Sequence, residues 1–427
     1  MTSKVLLAGG CVLTLGARTP NHKQADVLID GDVIAEIGTD LRARDAEQVD
    51  ATGTIVMPGF VDTHRHAWTS LFRNQGDRDP SADPAGAGPD GFGPDDVYAA
   101  TLIGLLGAAE AGITTVVDWS HTGGDDTLAE AALRAHEDAG LRTVFVDTGG
   151  GAGLRERVGR RTRAAGPTTT IAFGSTAPGP AGVDAAAVEW ASARELGLRI
   201  HVHAAPNGIS SLAALLGEDV TVVHGSPLQP SDVDAIASSG AAISLAPVSE
   251  MTGGSGSPPI QHLLDNDVRP GLAVDDERIA PGDLFAQMRA AISMQHATVF
   301  DQKLAGKGGV PKLMTTRNVI RFATSDGART AGLRGVSGSL EVGMQADVLV
   351  LRADRPNVFP INDPIGAVVW GMDTSNVDWV FVGGRVLMRE GVLDVDVPRA
   401  RSLATEARRR VADVSGSIVG AAPGGTG

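Results

Sequence analysis

Pro58-Gly-Phe-Val-Asp-Thr-His-Arg-His66 ends an apolar run that begins at Ile55. Side chains alternate along a strand, so His64 and His66 share one face and Arg65 lies on the other. Two imidazoles on one face at a strand's C-terminal end form half a metal site. Neutral imidazole is a common metal ligand, and zinc accepts it readily. The plain alternative is a surface pair after a strand. The residues further out decide between them.

Outward from this stretch the chain reads as β structure on one side and as alternating β and α on the other. Residues 4–57 break into short apolar strands separated by turn signals such as Gly9-Gly10 and Asp30-Gly31-Asp32. The run into His64 is the first of eight strands. The others read at 113–118, 143–147, 170–173, 199–203, 220–224, 242–246 and 269–274, and most are followed by a helix. One such helix covers 126–139 and stops at Gly140. Eight β/α units predict a closed (β/α)8 TIM barrel, an α/β fold. Helices near 283–298 and 314–330 then cover it, and β pattern returns at 346–351, 377–382 and 386–388. The two β segments would form one β-sandwich domain beside the barrel. The resulting division is 1–57 and 339–398 for the two parts of the sandwich and 58–338 for the barrel. Residues 399–427 remain for a C-terminal helix and a disordered tail. A Gly/Pro/Asp-rich stretch at 76–94 reads as a functional lid or a disordered insertion.

Composition narrows the class. The 427 residues are 42% apolar, enough for a large core. The net charge of -15 is spread along the chain, which argues against binding a nucleic-acid backbone. Cys11 is the only cysteine, so no intrachain disulfide and no cysteine zinc cluster can form. The apolar start, residues 1–15, is interrupted by Gly9 and Gly10 and reads as a strand rather than a signal peptide. No stretch approaches the ~18 unbroken apolar residues of a membrane helix. A cytoplasmic, soluble protein is expected, without membrane or nucleic-acid partners. An exposed apolar edge on the β domain would suit a homodimer.

In such a barrel the chemistry sits at the C-terminal ends of the strands. Of ten histidines, six (His64, His66, His121, His201, His203 and His224) fall at or just past these ends. Asp118 ends strand two. Asp275 ends strand eight, with Asp276 and Glu277 behind it. A lone histidine in an apolar strand is usually a core or surface residue. The set, with an aspartate closing it, points to a metal site.

These motifs resemble the amidohydrolase superfamily. The matching segments are Pro58–His66, Ile200-His-Val-His203, Val222-Val-His-Gly225, Gly271-Leu-Ala-Val-Asp275 and the late 338–350 return to β structure. Within it the chain is most similar to the branch of cytosine, S-adenosylhomocysteine and triazine deaminases and chlorohydrolases. The resemblance implies one divalent ion, zinc or else iron, held by His64, His66, His203, His224 and Asp275, with His201 as the alternative to His203. Such an ion would acidify a water for attack on an sp2 carbon. Asp275 would take the water's proton, and His224 would polarise the water or the tetrahedral centre. Strand four, Thr170-Ile-Ala-Phe-Gly174, has no lysine to bridge a second ion, which favours a mononuclear site.

One position departs from that pattern. Deaminases of the branch carry a Glu three residues after the strand-five histidine to pass protons to the leaving nitrogen, and here Pro206 stands there. Glu250, His121 and Glu277 are the candidates to replace it. Trp68, Trp119 and Glu250 could contact a planar heterocycle, and Arg73 an anionic group. Each of these also has a plain reading as barrel-top packing or a solvated loop residue. The expected activity is deamination of an amino-substituted N-heterocycle with release of ammonia. The alternatives are hydrolysis of a cyclic amide, amidine or other bond without ammonia, and an inactive binding barrel.

Overall fold

A computed structural model describes residues 4–74, 91–176, 182–204, 208–226 and 228–415. The chain opens with β1 (Lys4–Val12), β2 (His22–Asp30), β3 (Val33–Gly38), β4 (Glu47–Asp50) and β5 (Thr54–Pro58). Eight short strands follow for the barrel: β6 (Phe60–Arg65), β7 (Ile113–Trp119), β8 (Arg142–Asp147), β9 (Thr169–Thr176), β10 (Ile200–His203), β11 (Val220–Val223), β12 (Ala242–Leu245) and β13 (Gly271–Leu272). The end returns to β structure with β14 (Val348–Arg352), β15 (Val377–Val382), β16 (Arg385–Arg389) and β17 (Val392–Leu393).

The first five and last four strands join into one nine-stranded mixed sheet. The joint is β5, which pairs parallel to β1 and antiparallel to β14, with Val56 opposite Val350. Val5, Val27, Ile29 and Val49 from one end of the chain pack with Val348, Val350, Trp379 and Phe381 from the other in a single apolar core. The sheet therefore folds over itself, and neither chain end can bury its apolar face alone.

Gly59 is where the chain leaves this sheet for the barrel. A β-carbon there would lie 1.9 Å from Thr114 Oγ1, so the passage needs a residue with no side chain. The strands from β6 to β13 run parallel in sequential order. β6, β7 and β8 are buried along their whole length, as expected of strands covered on both faces. The barrel closes between the end of β6 and the chain just past β13. There the Asp275 amide donates to the His64 carbonyl and the His66 amide to the Asp275 carbonyl, each at 2.9 Å.

The crossover helices are α1 (Pro94–Glu110), α2 (Asp126–Ala139), α3 (Leu154–Ala164), α4 (Val183–Glu195), α5 (Pro230–Ser239), α6 (Pro247–Thr252) and α7 (Ile260–Asp265). Then come α8 (Leu284–Leu304), α9 (Thr316–Phe322) and α10 (Ser325–Thr330). α2 has the bounds its sequence predicts. Asp125 accepts from the Thr127 and Leu128 amides at its start, and Gly140 takes φ 74 at its end. A last helix, Val397–Ser415, packs on the barrel through Ala407 and Val411. Among the described residues no helix is long and apolar enough to cross a membrane. Most of the stretch read as a lid or insertion (76–90), Pro206 and the tail beyond 415 lie outside the described residues.

Candidate metal centre

Five side chains from four strand ends point at one another. His64 and His66 lie at the end of β6, and His203 ends β10. His224 follows β11 directly, and Asp275 comes three residues after the end of β13. His64 Nε2 is 3.1 Å from His66 Nε2 and 3.2 Å from His203 Nε2. Asp275 Oδ1 lies 3.2 Å from His66 Nε2, 3.4 Å from His64 Nε2 and 3.9 Å from His224 Nε2. The donor atoms of His64, His66 and His203 all lie within 4.8 Å of one another, as do those of His64, His224 and Asp275. Period-two alternation on β6 and the barrel's shared C-terminal face account for this convergence.

Backbone strain contributes as well. His224 and Asp275 have φ 71 and 68, and His121 has φ 52. Non-glycine residues seldom adopt this region, and such residues cluster at functional sites.

Electrostatics prepares the site for a cation. Burial pulls the His64 imidazole down to about 4, and burial holds His203 well below the usual histidine range. Both are therefore neutral near pH 7, with ring lone pairs available. Burial pushes the Asp275 carboxyl up, but His224 and hydrogen bonds from His64 and His66 prevail and hold it well below the carboxylate range. Burial pulls His224 down, but Asp275 and Glu250 prevail and push it up to about 9. Three imidazole nitrogens and a carboxylate form a donor set that fits a divalent transition ion.

Outer contacts orient these groups. His66 Nδ1 donates to the Trp119 carbonyl at 3.3 Å, which turns Nε2 toward the cluster. Ser249 Oγ donates to Asp275 Oδ2 at 2.5 Å, leaving Oδ1 to face the imidazoles. The Trp119 ring lies 4.1 Å from the His203 ring, and His203 stacks parallel to His224 at 5.3 Å. Asp118 is not among the converging donors. It accepts from the Ala67 amide at 3.0 Å and pairs with His136 Nε2 at 2.8 Å, anchoring the turn after His66.

The remaining sequence candidates divide by what they touch. Glu250 is buried behind His224. Its Oε2 accepts from the Gly225 and Ser226 amides at 3.0 and 2.7 Å, and its Oε1 accepts from the Ala246 amide at 2.9 Å. Glu277 is held by Arg65 at 3.2 Å, by Arg73 at 3.0 Å and by the Ser70 hydroxyl. Arg73 and Glu277 thus engage each other. Asp276 pairs with Arg278 at 2.6 Å.

His121 stands beside the cluster, its ring 4.7 Å from that of His66, and burial pulls it down to about 3. Trp68 packs in an apolar group with Phe72 and Phe92, 6.1 Å from His121. His201 shares the His203 face but is fully buried, and among the described residues neither ring nitrogen has a hydrogen-bond partner. Its nitrogens are not among the converging donors.

Three contributors went unread in the sequence. Ser249 sits past strand seven beside Glu250, where a listing of strand-end residues would include it. His136 is inside α2 and carries no local signal. Asp62 is buried, pairs with Arg65 at 2.8 Å and accepts from the Val274 amide at 3.0 Å, so it ties the two strands at the closure.

The pattern that describes the amidohydrolase family matches residues 55–387. The chain is 27% identical to a 5'-deoxyadenosine deaminase of Methanosarcina mazei, with 90% of this chain and 93% of that protein aligned. It is also 27% identical to a 5-methylthioadenosine/S-adenosylhomocysteine deaminase of Symbiobacterium thermophilum, over 91% of this chain and 94% of that one. Its fold superposes on an atrazine chlorohydrolase of Arthrobacter aurescens complexed with zinc. The TM-score is 0.79 and the identity 22%, over 95% of this chain and all of that one (100%). A zinc-bound adenosine deaminase of Xanthomonas campestris superposes with TM-score 0.77 and 18% identity, over 96% and 99% of the two chains.

Proposed function

The chain belongs to the amidohydrolase family, and on that premise we propose that it is a metal-dependent hydrolase that removes the amino group of a planar N-heterocycle and releases ammonia. The observation that carries this reading is the convergence of three imidazole Nε2 atoms with Asp275 Oδ1 at one end of the barrel. His64, His66, His203 and Asp275 would hold one zinc ion, with iron as the alternative, and His224 would border it.

A divalent ion held there would make a water more acidic, lowering its pKa toward neutrality and supplying a nucleophile at pH 7. The protein's own groups then do the rest. Asp275 takes the water's proton at a carboxylate oxygen that Ser249 orients. His224, kept charged by Asp275 and Glu250, donates a hydrogen bond to the oxygen or nitrogen that gains charge as the sp2 carbon becomes tetrahedral. Trp119 braces the His203 ring, and Trp68 and His121 border the space beside His66. Among the described residues His121 is the titratable group there without a carboxylate partner. Neutral at pH 7, it would relay the proton that Asp275 takes, accepting at one ring nitrogen as it donates from the other to the departing nitrogen. Glu250 supports His224 and is too engaged with backbone amides to shuttle.

A second reading rests on a separate observation. Among the described residues Glu250, Glu277, Asp118 and Asp276 are all engaged, so no second carboxylic acid faces the cluster. A leaving group that departs without a proton, as in displacement on a triazine, would suit this arrangement. The deciding experiment uses zinc-loaded enzyme and a panel of adenosine derivatives, aminopyrimidines, pterins, chloro- and amino-triazines and lactams. Ammonia release supports deamination. Chloride release or ring opening without ammonia supports the second reading. A purified protein that takes up no stoichiometric divalent ion would sink both.

A further inference from the structure

At the other end of the barrel lies a cleft of about 860 Å³. It is framed by the turns entering β12 and β13, by α9 and α10, by the 334–344 return segment and by residues 15–18 of the β domain. Five arginines line it: Arg18, Arg269, Arg321, Arg329 and Arg334. Three carboxylates share the lining, Asp267, Asp326 and Glu341. The cleft is therefore cationic on a chain whose net charge is -15.

The three carboxylates offset the five guanidiniums only in part. Glu341 accepts from the Ala17 amide at 3.0 Å. Asp326 is buried, 4.0 Å from Arg321 Nε. Among the described residues the Arg18, Arg269 and Arg334 guanidiniums have neither a hydrogen bond nor an ion pair. Burial lowers the Arg329 guanidinium from its usual range, and Arg334 and Arg269 push the same way against Asp326. Like charges are thus held together around an open space. The Ser337 hydroxyl, buried in the lining, also lacks a partner among the described residues.

We propose that this cleft is a binding site for a small phosphorylated polyanion, separate from the metal centre at the opposite end of the strands. Guanidinium forks match phosphate oxygens in pairs. The volume falls within the ~300–1,000 Å³ of small-molecule sites. Leu15, Val268 and Met344 supply an apolar floor for the uncharged part of such a ligand.

The test titrates inorganic pyrophosphate into the holoenzyme by calorimetry at fixed ionic strength, with bound metal assayed before and after to reveal chelation. Citrate serves as the carboxylate rival. Saturable pyrophosphate binding is expected, weakened at least about tenfold in the Arg269→Gln/Arg334→Gln variant. Both substituted side chains are exposed and, among the described residues, make no hydrogen bond or ion pair, and wild-type turnover of the variant without pyrophosphate would show it folded. Three outcomes overturn the proposal: no saturable binding beyond a matched potassium chloride control, equal affinity in the variant, or binding of citrate with none of pyrophosphate.

Discussion

Glu250 Oε1 lies 3.8 Å from His224 Nδ1. Three backbone amides from two different loops fix the carboxylate in that place. A buried carboxylate held by this many N–H donors keeps one fixed direction behind the imidazole. Glu250→Gln would turn an NH2 group toward an N–H donor and remove the charge behind the imidazole. With one negative charge fewer near the ion, metal affinity is expected to fall, and kcat/KM to fall about 10–100-fold as His224 loses the charge behind it. Competition against a chelator measures the first, and steady-state kinetics the second. A proton shuttle would behave otherwise. Its loss would lower kcat and alter the pH profile while leaving metal affinity intact.

His201 and His203 share one face of β10, yet only His203 reaches the cluster of donors. His203→Asn is expected to weaken metal binding at least about 100-fold, the upper range seen even for outer contacts. His201→Leu should retain a stoichiometric ion. It also removes a buried group whose two nitrogens have no partner among the described residues. Such a group costs about 1–3 kcal/mol, so the leucine variant should match or exceed the wild-type denaturation midpoint. Metal content by emission spectrometry beside urea unfolding checks both halves. Loss of the ion from the leucine variant would exchange the two roles.

The ligand candidates were legible because barrel strands are short and apolar, so a polar residue at a strand end stands out. Their distances depended on something less visible. His224 and Asp275 adopt left-handed backbone, which no local residue pattern announces. Glu250 was visible as a polar residue past strand seven. Its direction was not, because that is set by amides of Gly225 and Ser226 from another loop. The helix Leu154–Ala164 escaped the sequence reading because Leu-Arg-Glu-Arg-Val-Gly-Arg-Arg-Thr-Arg-Ala offers little apolar periodicity. Its Arg157 and Arg161 face inward and pair with Asp147 instead. Strand eight was expected over 269–274, but only Gly271–Leu272 stay in the ladder. The rest bends toward β6 to close the barrel on His64.

That closure rests on a buried ion pair. Arg65 is fully buried between Asp62 at 2.8 Å and Glu277 at 3.2 Å, and it donates to the Gly282 carbonyl at 2.9 Å. Arg65→Met leaves the Asp62 carboxyl buried in the core without its counter-charge. The expected cost is about 3–5 kcal/mol in denaturant unfolding. The double variant Asp62→Leu/Arg65→Met should cost less than the sum of the two single changes, since no lone charge then remains. Additive losses in this double-mutant cycle would mean that the pair does not act as a unit.

Asp326 supplies a pH test away from the metal centre. Burial pushes its carboxyl above the usual carboxylate range, although Arg321, Arg329 and Arg269 pull it down. A folded-state value above the unfolded one means that the native protein holds this proton more tightly. The stability contributed by protonated Asp326 is therefore complete below the unfolded carboxylate range and lost as pH rises through the folded value. Asp326→Asn keeps a neutral side chain of similar shape at every pH. The variant's advantage over the wild type should be smallest in acid. It should grow by at most about 1.4 kcal/mol per pH unit across the interval between the two values, then level off above it. Guanidinium midpoints of both proteins between pH 3.5 and 7 measure the difference directly. An advantage that shrinks as pH rises would show that the arginines, rather than burial, set this carboxyl.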